Sequence, residues 1–321
     1  MFPHLLAITY YLLPTLAIIY IFAWFYLWIA QARFIFFPKL EITTTPDDFQ
    51  FYFEDVYISF TTQKGKSETI HGWWIPRDNS SQNPLQGKPG ETGVIDRDFT
   101  TIKPGEYQQN LPKSGGVLLY LHGNGSNISG NLNHGLRFYN LGLSVFLIDY
   151  RGFGKSTGKF PTELQVYQDT EIAFNYLVKE KGIAPENIII YGHSLGGAIG
   201  INLASKYPNI GGVIIEGSFT SLLEMTNYLR RYWIFPINMI LHQRFDSISK
   251  LHLLKTPLFF IHGAADEVVP FYMSERLFAQ APEPKELYIV PGANHNNLAT
   301  VAGDDYLHRV REFLEQVWLN K

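Results

Sequence analysis

The stretch IIIYGHSLGG, residues 188–197, decides the fold of this chain and most of its chemistry. It begins with a short apolar run typical of a buried strand, and residues 198–207 after it have the composition of a helix. Between the two, Ser194 is flanked by glycines in the pattern G-x-S-x-G. This pattern predicts a nucleophile elbow, a strained strand-to-helix turn that lifts the serine hydroxyl above the sheet. A chance match in a glycine-containing turn is the alternative.

Short apolar segments alternate with helical segments through most of the chain. We predict helices at residues 132–141, 162–181, 198–207 and 306–319. We predict strands at residues 56–60, 70–75, 117–121, 145–148, 188–191, 213–215, 258–261 and 287–290, the first two of which form a hairpin. This alternation predicts an α/β fold with a mostly parallel central sheet covered by helices on both faces.

A serine hydroxyl needs a base to become a nucleophile, and the base needs an acid to orient it. In an open α/β sheet such groups gather at the carboxyl ends of the strands. Asp266 follows the seventh predicted strand and His295 follows the eighth. We therefore predict His295 as the base and Asp266 as the acid for Ser194, with Glu267 as the rival acid.

The oxyanion of an acyl-transfer reaction needs preorganised N–H donors. One is expected from Leu195, the residue after the serine. The other is expected from the glycine turn after the third predicted strand, at the backbone N–H of Asn124 or alternatively of Gly125. This turn is not a phosphate loop because no Gly-Lys-Ser/Thr follows it, although it could simply bend the chain.

Residues 5–30 carry no charged side chain. As a helix they extend about 39 Å, enough to cross a hydrocarbon core of about 30 Å, and Pro14 is tolerated in such a helix. We predict a single-pass transmembrane anchor at residues 1–32. A cleaved signal peptide is the alternative, because Ala30-Gln31-Ala32 resembles a cleavage site, but a positively charged segment before the apolar run is missing.

The side of the membrane on which the rest of the chain lies stays open. Arg33 and Lys39 are the only charges in the first 40 residues, and two basic residues are weak evidence for a cytoplasmic location.

We predict a linker at residues 33–50 and an enzyme domain at residues 51–321. Within that domain, residues 79–114 are rich in Gly, Pro, Asn, Gln and Ser without periodicity, which predicts a flexible surface insertion. Residues 219–255 interrupt the alternation with aromatic, helix-like sequence broken at Pro236, which predicts a short cap over the site.

Composition excludes several other classes of function. The net charge is −3 and no run of Lys and Arg occurs, so a nucleic-acid surface is not expected. The chain contains no cysteine, which excludes disulfides, a thiol nucleophile and cysteine-bound metals. No group of His, Asp and Glu has the spacing of a metal site, so we expect neither a metal nor a cofactor.

Several motifs together resemble one superfamily over residues 34–321. They are FIFFP (34–38), HGWWIP (71–76), LHGNGSN (121–127), DYRGFGKSTG (149–158), YGHSLGG (191–197), HGAADEVVP (262–270) and PGANHNN (291–297). The chain resembles the α/β-hydrolase superfamily, and specifically the membrane-anchored α/β-hydrolase-domain proteins of the bud-emergence type. The resemblance implies an α/β-hydrolase fold and a serine hydrolase whose triad is Ser194, Asp266 and His295, in the chain order of that fold. The segment at residues 79–114 is longer than expected for this group.

We therefore interpret the chain as a membrane-anchored serine hydrolase that acts on acyl esters or thioesters through an acyl-enzyme. The anchor and the aromatic cap favour a small-molecule or lipid-like acyl substrate. A serine peptidase or aminoacyl-hydrolase on the same fold is the first alternative, since the same triad serves both chemistries. A catalytically silent membrane scaffold is the second.

Overall fold

The computed structural model describes residues 2–77 and 116–319, so the predicted insertion at residues 79–114 lies outside the described residues. The described part of the chain contains an eight-stranded sheet. Its strands are β1 (Glu54–Thr61), β2 (Ser67–Ile75), β3 (Val117–Leu121), β4 (Ser144–Asp149), β5 (Ile188–His193), β6 (Gly212–Glu216), β7 (Leu258–Gly263) and β8 (Lys285–Val290).

The strand order is β1-β2-β4-β3-β5-β6-β7-β8. β1 and β2 pair antiparallel as the predicted hairpin, β2 pairs antiparallel with β4, and the remaining pairs are parallel. The mostly parallel sheet is therefore confirmed. The carboxyl ends of β3, β5, β6, β7 and β8 lie at one edge, where a ligand site is expected.

The α-helices are α1 (Phe2–Ile29), α2 (Gln31–Ile35), α3 (Leu132–Asn140), α4 (Glu163–Lys179), α5 (Leu195–Lys206), α6 (Leu222–Leu229), α7 (Ile237–Ile240), α8 (Tyr272–Gln280), α9 (Leu298–Ala302) and α10 (Asp304–Leu319). A 3₁₀ segment, Ile248–Leu253, precedes β7. The short helices α8 and α9 have no counterpart among the predicted segments.

The central strands are buried on both faces, and alternate residues enter two separate cores. In β3, Leu119 and Leu121 pack into the core beneath α4, α5 and α8, while Leu118 and Tyr120 pack into the core beneath α3, α9 and α10. This is the period of two that a strand imposes on its side chains. It explains why the strands read as continuous apolar runs rather than as alternating ones.

Helix α1 contains a 20-residue stretch, Tyr10–Ile29, with a mean hydropathy of 2.0 and no buried residues in its most apolar window. By length and composition it is able to cross a membrane.

Residues 33–50, the predicted linker, lie against the domain that contains the sheet along much of their length. Phe36 is fully buried in the core beneath α5. The Asn127 amide donates to the carbonyls of Lys39 and Glu41, and the Ser129 hydroxyl accepts from the backbone N–H of Thr44 at 2.8 Å. The stretch between α1 and the sheet is therefore attached rather than free.

Candidate active site

Ser194 lies at the turn between β5 and α5. Its backbone has φ of 56° and ψ of −119°, a region that residues with a side chain seldom adopt. A Cβ on Gly192 would lie 2.3 Å from the Gly196 carbonyl oxygen, and a Cβ on Gly196 would lie 2.0 Å from the Leu121 carbonyl oxygen. Because neither position has room for a side chain, both glycines of the G-x-S-x-G pattern are required by close packing.

Helix α5 begins at Leu195, directly after the serine, whereas residue 198 was the predicted start. The helix begins early because Gly196 and Gly197 pack closely on neighbouring backbone and side chains, including Ser218, so that tertiary packing outweighs the low helix propensity of glycine.

Asp266 and His295 are in direct contact. The Nδ1–H of His295 donates to Oδ2 of Asp266 at 2.7 Å, and both residues are largely buried. This bond fixes the tautomer that leaves the imidazole Nε2 as an acceptor, which is the form that a general base needs. Glu267, the rival acid, is exposed, and His295 bonds to its neighbour instead.

The carboxylate of Asp266 is fully hydrogen bonded. Its Oδ1 accepts from the backbone N–H groups of Val268 and Val269, both at 2.8 Å, and Nε2 of the buried His262 lies 3.2 Å from Oδ2. Burial by itself raises the pKa of Asp266, but the hydrogen bonds from His262, His295 and Val269 outweigh it and hold the pKa well below its usual range. Asp266 is therefore ionised at neutral pH.

The end of β6 brings the elbow and the histidine together. The backbone N–H of Ser194 donates to the Glu216 carbonyl at 2.8 Å, and the next residue, Gly217, lies against the His295 ring. Ser194 and His295 line the same cavity. Within residues 2–77 and 116–319, no hydrogen bond joins the Ser194 hydroxyl to His295, a bond that unliganded enzymes often form only when substrate binds.

Leu195 and Asn124, the residues predicted to supply the oxyanion donors, also line this cavity. Leu195 is the first residue of α5, so its N–H has no partner inside the helix. Asn124 is held by a pair of hydrogen bonds to the last residue of α2 and to the segment that follows it. Its carbonyl accepts from the Phe37 N–H at 2.8 Å, and its side-chain amide donates to the Ile35 carbonyl at 2.9 Å. Its backbone N–H has no acceptor within the described parts of the chain.

The cavity above Ser194 has a volume of about 810 Å³. Its walls come from α1 and α2, the turn after β3, the elbow, residues 219–241 and the loops that carry Asp266 and His295. Most side chains contributed by residues 27–37 and by residues 219–241 are apolar: Leu27, Phe34, Ile35, Phe37, Phe219, Leu222, Met225, Leu229, Tyr232, Ile237, Ile240 and Leu241. Asn131, His134 and Asn296 supply polar groups elsewhere in the wall.

A layer of buried polar side chains beneath the elbow was not predicted from the sequence. His193 bonds through Nε2 to the backbone carbonyl of His295 at 3.0 Å, and its ring lies 5.2 Å from that of His134. Below them, the Tyr306 hydroxyl donates to the buried Glu216 at 2.5 Å. Burial is the main cause that lowers the pKa of His193 and of His134, and the nearby histidines add to it.

Arg151 and Asp149 lie at the carboxyl end of β4, but neither lines the cavity. Arg151 instead forms buried ion pairs with Asp169 at 2.6 Å and with Glu68 at 3.1 Å, and the Asp149 carboxylate accepts from the Ile128 N–H. Asp169 lies within α4 and is neither solvated nor a helix cap. It is fully buried, because Arg151 supplies a partner that its helix does not.

Among residues 2–77 and 116–319, no group of three or more His, Cys, Asp or Glu side chains is arranged to hold a metal ion.

Comparisons with known proteins agree on one family. A family model described as serine aminopeptidase, S33, matches residues 112–248. The protein bem46 of Schizosaccharomyces pombe is 34% identical over 224 residues, which cover 66% of this chain and 72% of that protein. Human α/β-hydrolase domain-containing protein 17B is 34% identical over 215 residues, which cover 65% of this chain and 69% of that protein.

The fold is also found in solved structures. An esterase of Pyrococcus furiosus, Pf2001, superposes with a TM-score of 0.62 at 20% identity, and the match covers 87% of this chain and 98% of the esterase. At that identity, the likeness establishes the architecture and leaves the substrate open.

Proposed function

The chain belongs to the α/β-hydrolase superfamily, in the group that contains bem46 and α/β-hydrolase domain-containing protein 17, and we propose that it is a membrane-anchored serine hydrolase that cleaves acyl ester or thioester bonds. The observation that carries the proposal is the 2.7 Å bond between His295 Nδ1 and Asp266 Oδ2 beside a serine in an elbow. A surface histidine with a chance carboxylate partner would not share a cavity with a strained serine.

In the proposed mechanism, Ser194 Oγ attacks the acyl carbonyl carbon while Nε2 of His295 takes the hydroxyl proton. The bond between the carbonyl carbon and the leaving oxygen or sulfur then breaks, and the imidazolium returns the proton to the leaving group. Water attacks the acyl-serine with the same histidine as base, which releases the carboxylic acid and restores Ser194. Asp266 stays ionised, holds the imidazole in place and stabilises its charged form.

The negative charge that develops on the carbonyl oxygen needs donors that are already in place. The N–H groups of Leu195 and Asn124 are the candidates, because both residues line the cavity with Ser194. The bonds from Asn124 to Ile35 and Phe37 hold the second donor in position.

The apolar wall of the cavity supports an acyl substrate with a hydrocarbon chain. Such a wall removes apolar surface of the ligand from water, worth about 25 cal/mol per Å². A small-molecule or lipid-like ester or thioester fits this composition. Helix α1 supports a membrane location through the stretch Tyr10–Ile29, with residues 1–32 as anchor and residues 219–255 as cap.

A fluorophosphonate probe tests the serine chemistry. We expect the wild-type full chain in detergent micelles to be labelled and the Ser194→Ala variant to remain unlabelled. Ser126→Ala is the matched control, because Ser126 lines the same cavity and carries no proposed role. Equal labelling of wild type and Ser194→Ala, or none of either, rejects the proposal. An ester and thioester panel across acyl lengths then identifies the leaving group.

A serine peptidase or aminoacyl-hydrolase is the second candidate, favoured by the description of the family model that matches residues 112–248. Both activities require Ser194, so the substrate decides between them. Turnover of aminoacyl amides and short peptides without turnover of p-nitrophenyl esters selects the peptidase.

A further inference from the structure

The apolar helix forms part of the wall of the catalytic cavity. Leu27 of α1 and Gln31 of α2 line the cavity that holds Ser194. Leu27 belongs to the stretch Tyr10–Ile29, which is long and apolar enough to span a bilayer. The cavity is therefore bounded by the helix that we propose as the anchor.

The cap is attached to the side of this helix. The ring of Tyr20 stacks on that of Phe235 with 5.2 Å between centroids, and the Tyr20 hydroxyl donates to the Ile234 carbonyl at 2.9 Å. Further along, the Gln31 amide donates to the Ile240 carbonyl at 2.6 Å. These contacts fix the position of the cap along the axis of the helix, which we call its height.

That height matches the surface of a bilayer. Helix α1 has 28 residues and is about 42 Å long, against about 30 Å for a hydrocarbon core. If the first residues of α1 span the hydrocarbon core, the remaining part of the helix, about 12 Å long, lies at a membrane–water interface. Tyr20 is about 14 Å from the last residue of α1, so the residues that contact it lie near the edge of the hydrocarbon.

The tip of the cap, residues 228–239, exposes an unusual amount of apolar surface. Trp233 is 81% exposed and Met239 is 75% exposed, and they are joined by Tyr228, Leu229 and Ile234. Soluble proteins seldom leave so many large apolar side chains together in water. Arg230 and Arg231, which are also exposed, supply the positive charge that anionic headgroups attract.

The rim of the cavity lies between this tip and the anchor. Phe34 and Leu229 line the cavity and are also 42% and 54% exposed, so they border its opening. The Phe34 ring contacts that of Tyr232, which lies on the cap, with 6.5 Å between centroids. An acyl chain that leaves the bilayer beside α1 thus meets an apolar opening without crossing water.

We propose that the tip of the cap is seated in the membrane beside α1 and that the enzyme takes its acyl substrate laterally from that lipid leaflet. The inference rests on the proposed hydrolase function and its anchor, and it names the substrate class as acyl chains of lipids already held in the bilayer. The bilayer, not a second copy of the chain, covers the exposed residues of the tip.

Cysteine labelling tests the position of the tip in the full chain, which has no native cysteine. Met239→Cys is compared with Leu253→Cys, which is 47% exposed and lies near the end of the cap segment, shortly before β7, at the amino ends of the strands and therefore away from the tip. Both are labelled with a small fluorophore and reconstituted in phosphatidylcholine–phosphatidylserine vesicles. We expect doxyl-labelled phosphatidylcholine to quench the Met239→Cys label and iodide to quench the Leu253→Cys label.

A label at Met239→Cys that iodide quenches as strongly as the label at Leu253→Cys overturns the inference. So does a Met239→Cys label shielded from both quenchers, which indicates a second copy of the chain on the tip. A Leu13→Cys label reports α1 itself. If doxyl-labelled lipid quenches the Leu13→Cys label while iodide quenches the Met239→Cys label, α1 lies in the bilayer but the tip of the cap does not. This result rejects only the position proposed for the cap. Fluorophosphonate labelling of the same samples reports the serine chemistry separately.

Turnover gives a second readout. The double variant Trp233→Ser, Met239→Ser is expected to hydrolyse a long-chain ester held in vesicles about 10-fold more slowly than wild type, because it has lost apolar contact with the bilayer. Its rate on water-soluble p-nitrophenyl butyrate is expected to change less than about 2-fold, since neither residue lines the cavity. Leu253→Ser is the control. Equal losses on both substrates, or none on either, contradict the proposal.

Discussion

The imidazole of His193 donates through Nε2 to the backbone carbonyl of His295, at 3.0 Å. The variable residue of the elbow thereby holds the loop that carries the proposed base. His193 is adjacent to Ser194 in the chain, so this bond ties nucleophile and base to one another through two short stretches of backbone.

We therefore expect His193→Ala to lower kcat by roughly 10- to 100-fold, because a small displacement of a catalytic group has effects of that size. His193 acts as a positioning residue, so KM for a short ester is expected to change much less than kcat. Steady-state kinetics on p-nitrophenyl butyrate measure both. His308→Ala, at an exposed histidine of α10, is the control, and an unchanged kcat in His193→Ala contradicts the role.

Gly217→Ala tests the space around the base. Gly217 has φ of +58°, and a Cβ there would lie 3.3 Å from Cε1 and 3.4 Å from Nδ1 of His295. Gly303 has nearly the same φ, +55°, but no atom lies within 4 Å of the Cβ that alanine would add there. Both alanine variants should lose about 1–2 kcal/mol of stability from backbone strain.

Only Gly217→Ala is expected to lose activity as well, by roughly 10-fold, because only there does the new methyl group press on the imidazole. Thermal melts give the stability and p-nitrophenyl butyrate hydrolysis gives the activity. Equal activities of the two variants show that the contact with His295 has no catalytic consequence.

The buried histidines predict sensitivity to acid. Burial is the main cause that lowers the pKa of His122, His134 and His193 in the folded chain. In the unfolded chain, histidine has a pKa of about 6.5. Below that pH the unfolded state binds more protons than the folded state, so stability is present above about pH 6.5 and is lost as the pH falls.

We expect the Tm of the full chain in detergent to fall between about pH 7.5 and about pH 5.5, and the fall to be about 2–4 °C smaller in His134→Gln, which has one fewer buried imidazole. His308→Gln, at an exposed histidine, should follow the wild type. Identical pH dependence of the Tm in wild type and His134→Gln refutes a destabilising protonation of His134.

Local sequence patterns were sufficient to predict the strands of the sheet and the residues that the fold places around the cavity. Each parallel strand is a short apolar run, and the topology of such sheets brings the residues that follow the strands to one edge. The contact between Asp266 and His295 is a consequence of that topology, because β7 and β8 are neighbours.

Features that depend on packing between distant parts of the chain could not be predicted from local sequence patterns. Asp169 has a sequence environment typical of an exposed helix residue, and its partner Arg151 becomes visible only once the chain is folded. The start of α5 was predicted too late, because glycine has a low helix propensity. In the folded chain, the backbone of Leu121 lies so close to Gly196 that no residue with a side chain fits at that position. His193 occupies a variable motif position, so no sequence signal marks its bond to His295.

Gln31 connects the anchor to the cap. The side chain is 5% exposed, and its amide donates to the Ile240 carbonyl while its oxygen accepts from the backbone N–H groups of His242 and Gln243. Gln31→Leu leaves these three backbone groups without their partner, at about 1–3 kcal/mol for each group that stays buried. We expect the cap to separate from the helix more often in this variant.

The separation is measurable as faster tryptic cleavage after Arg230 and Arg231, which are exposed on the cap. Because Gln31 lines the cavity, we also expect a higher KM for long-chain esters. Gln280→Leu, at an exposed position of α8, is the control for the change in polarity. Gln31→Glu keeps the acceptor for the two N–H groups and loses the donor to Ile240, so its cleavage rate should lie between those of wild type and Gln31→Leu. A cleavage rate in Gln31→Leu equal to that of wild type means that the ring stacking of Tyr20 on Phe235 holds the cap without the amide.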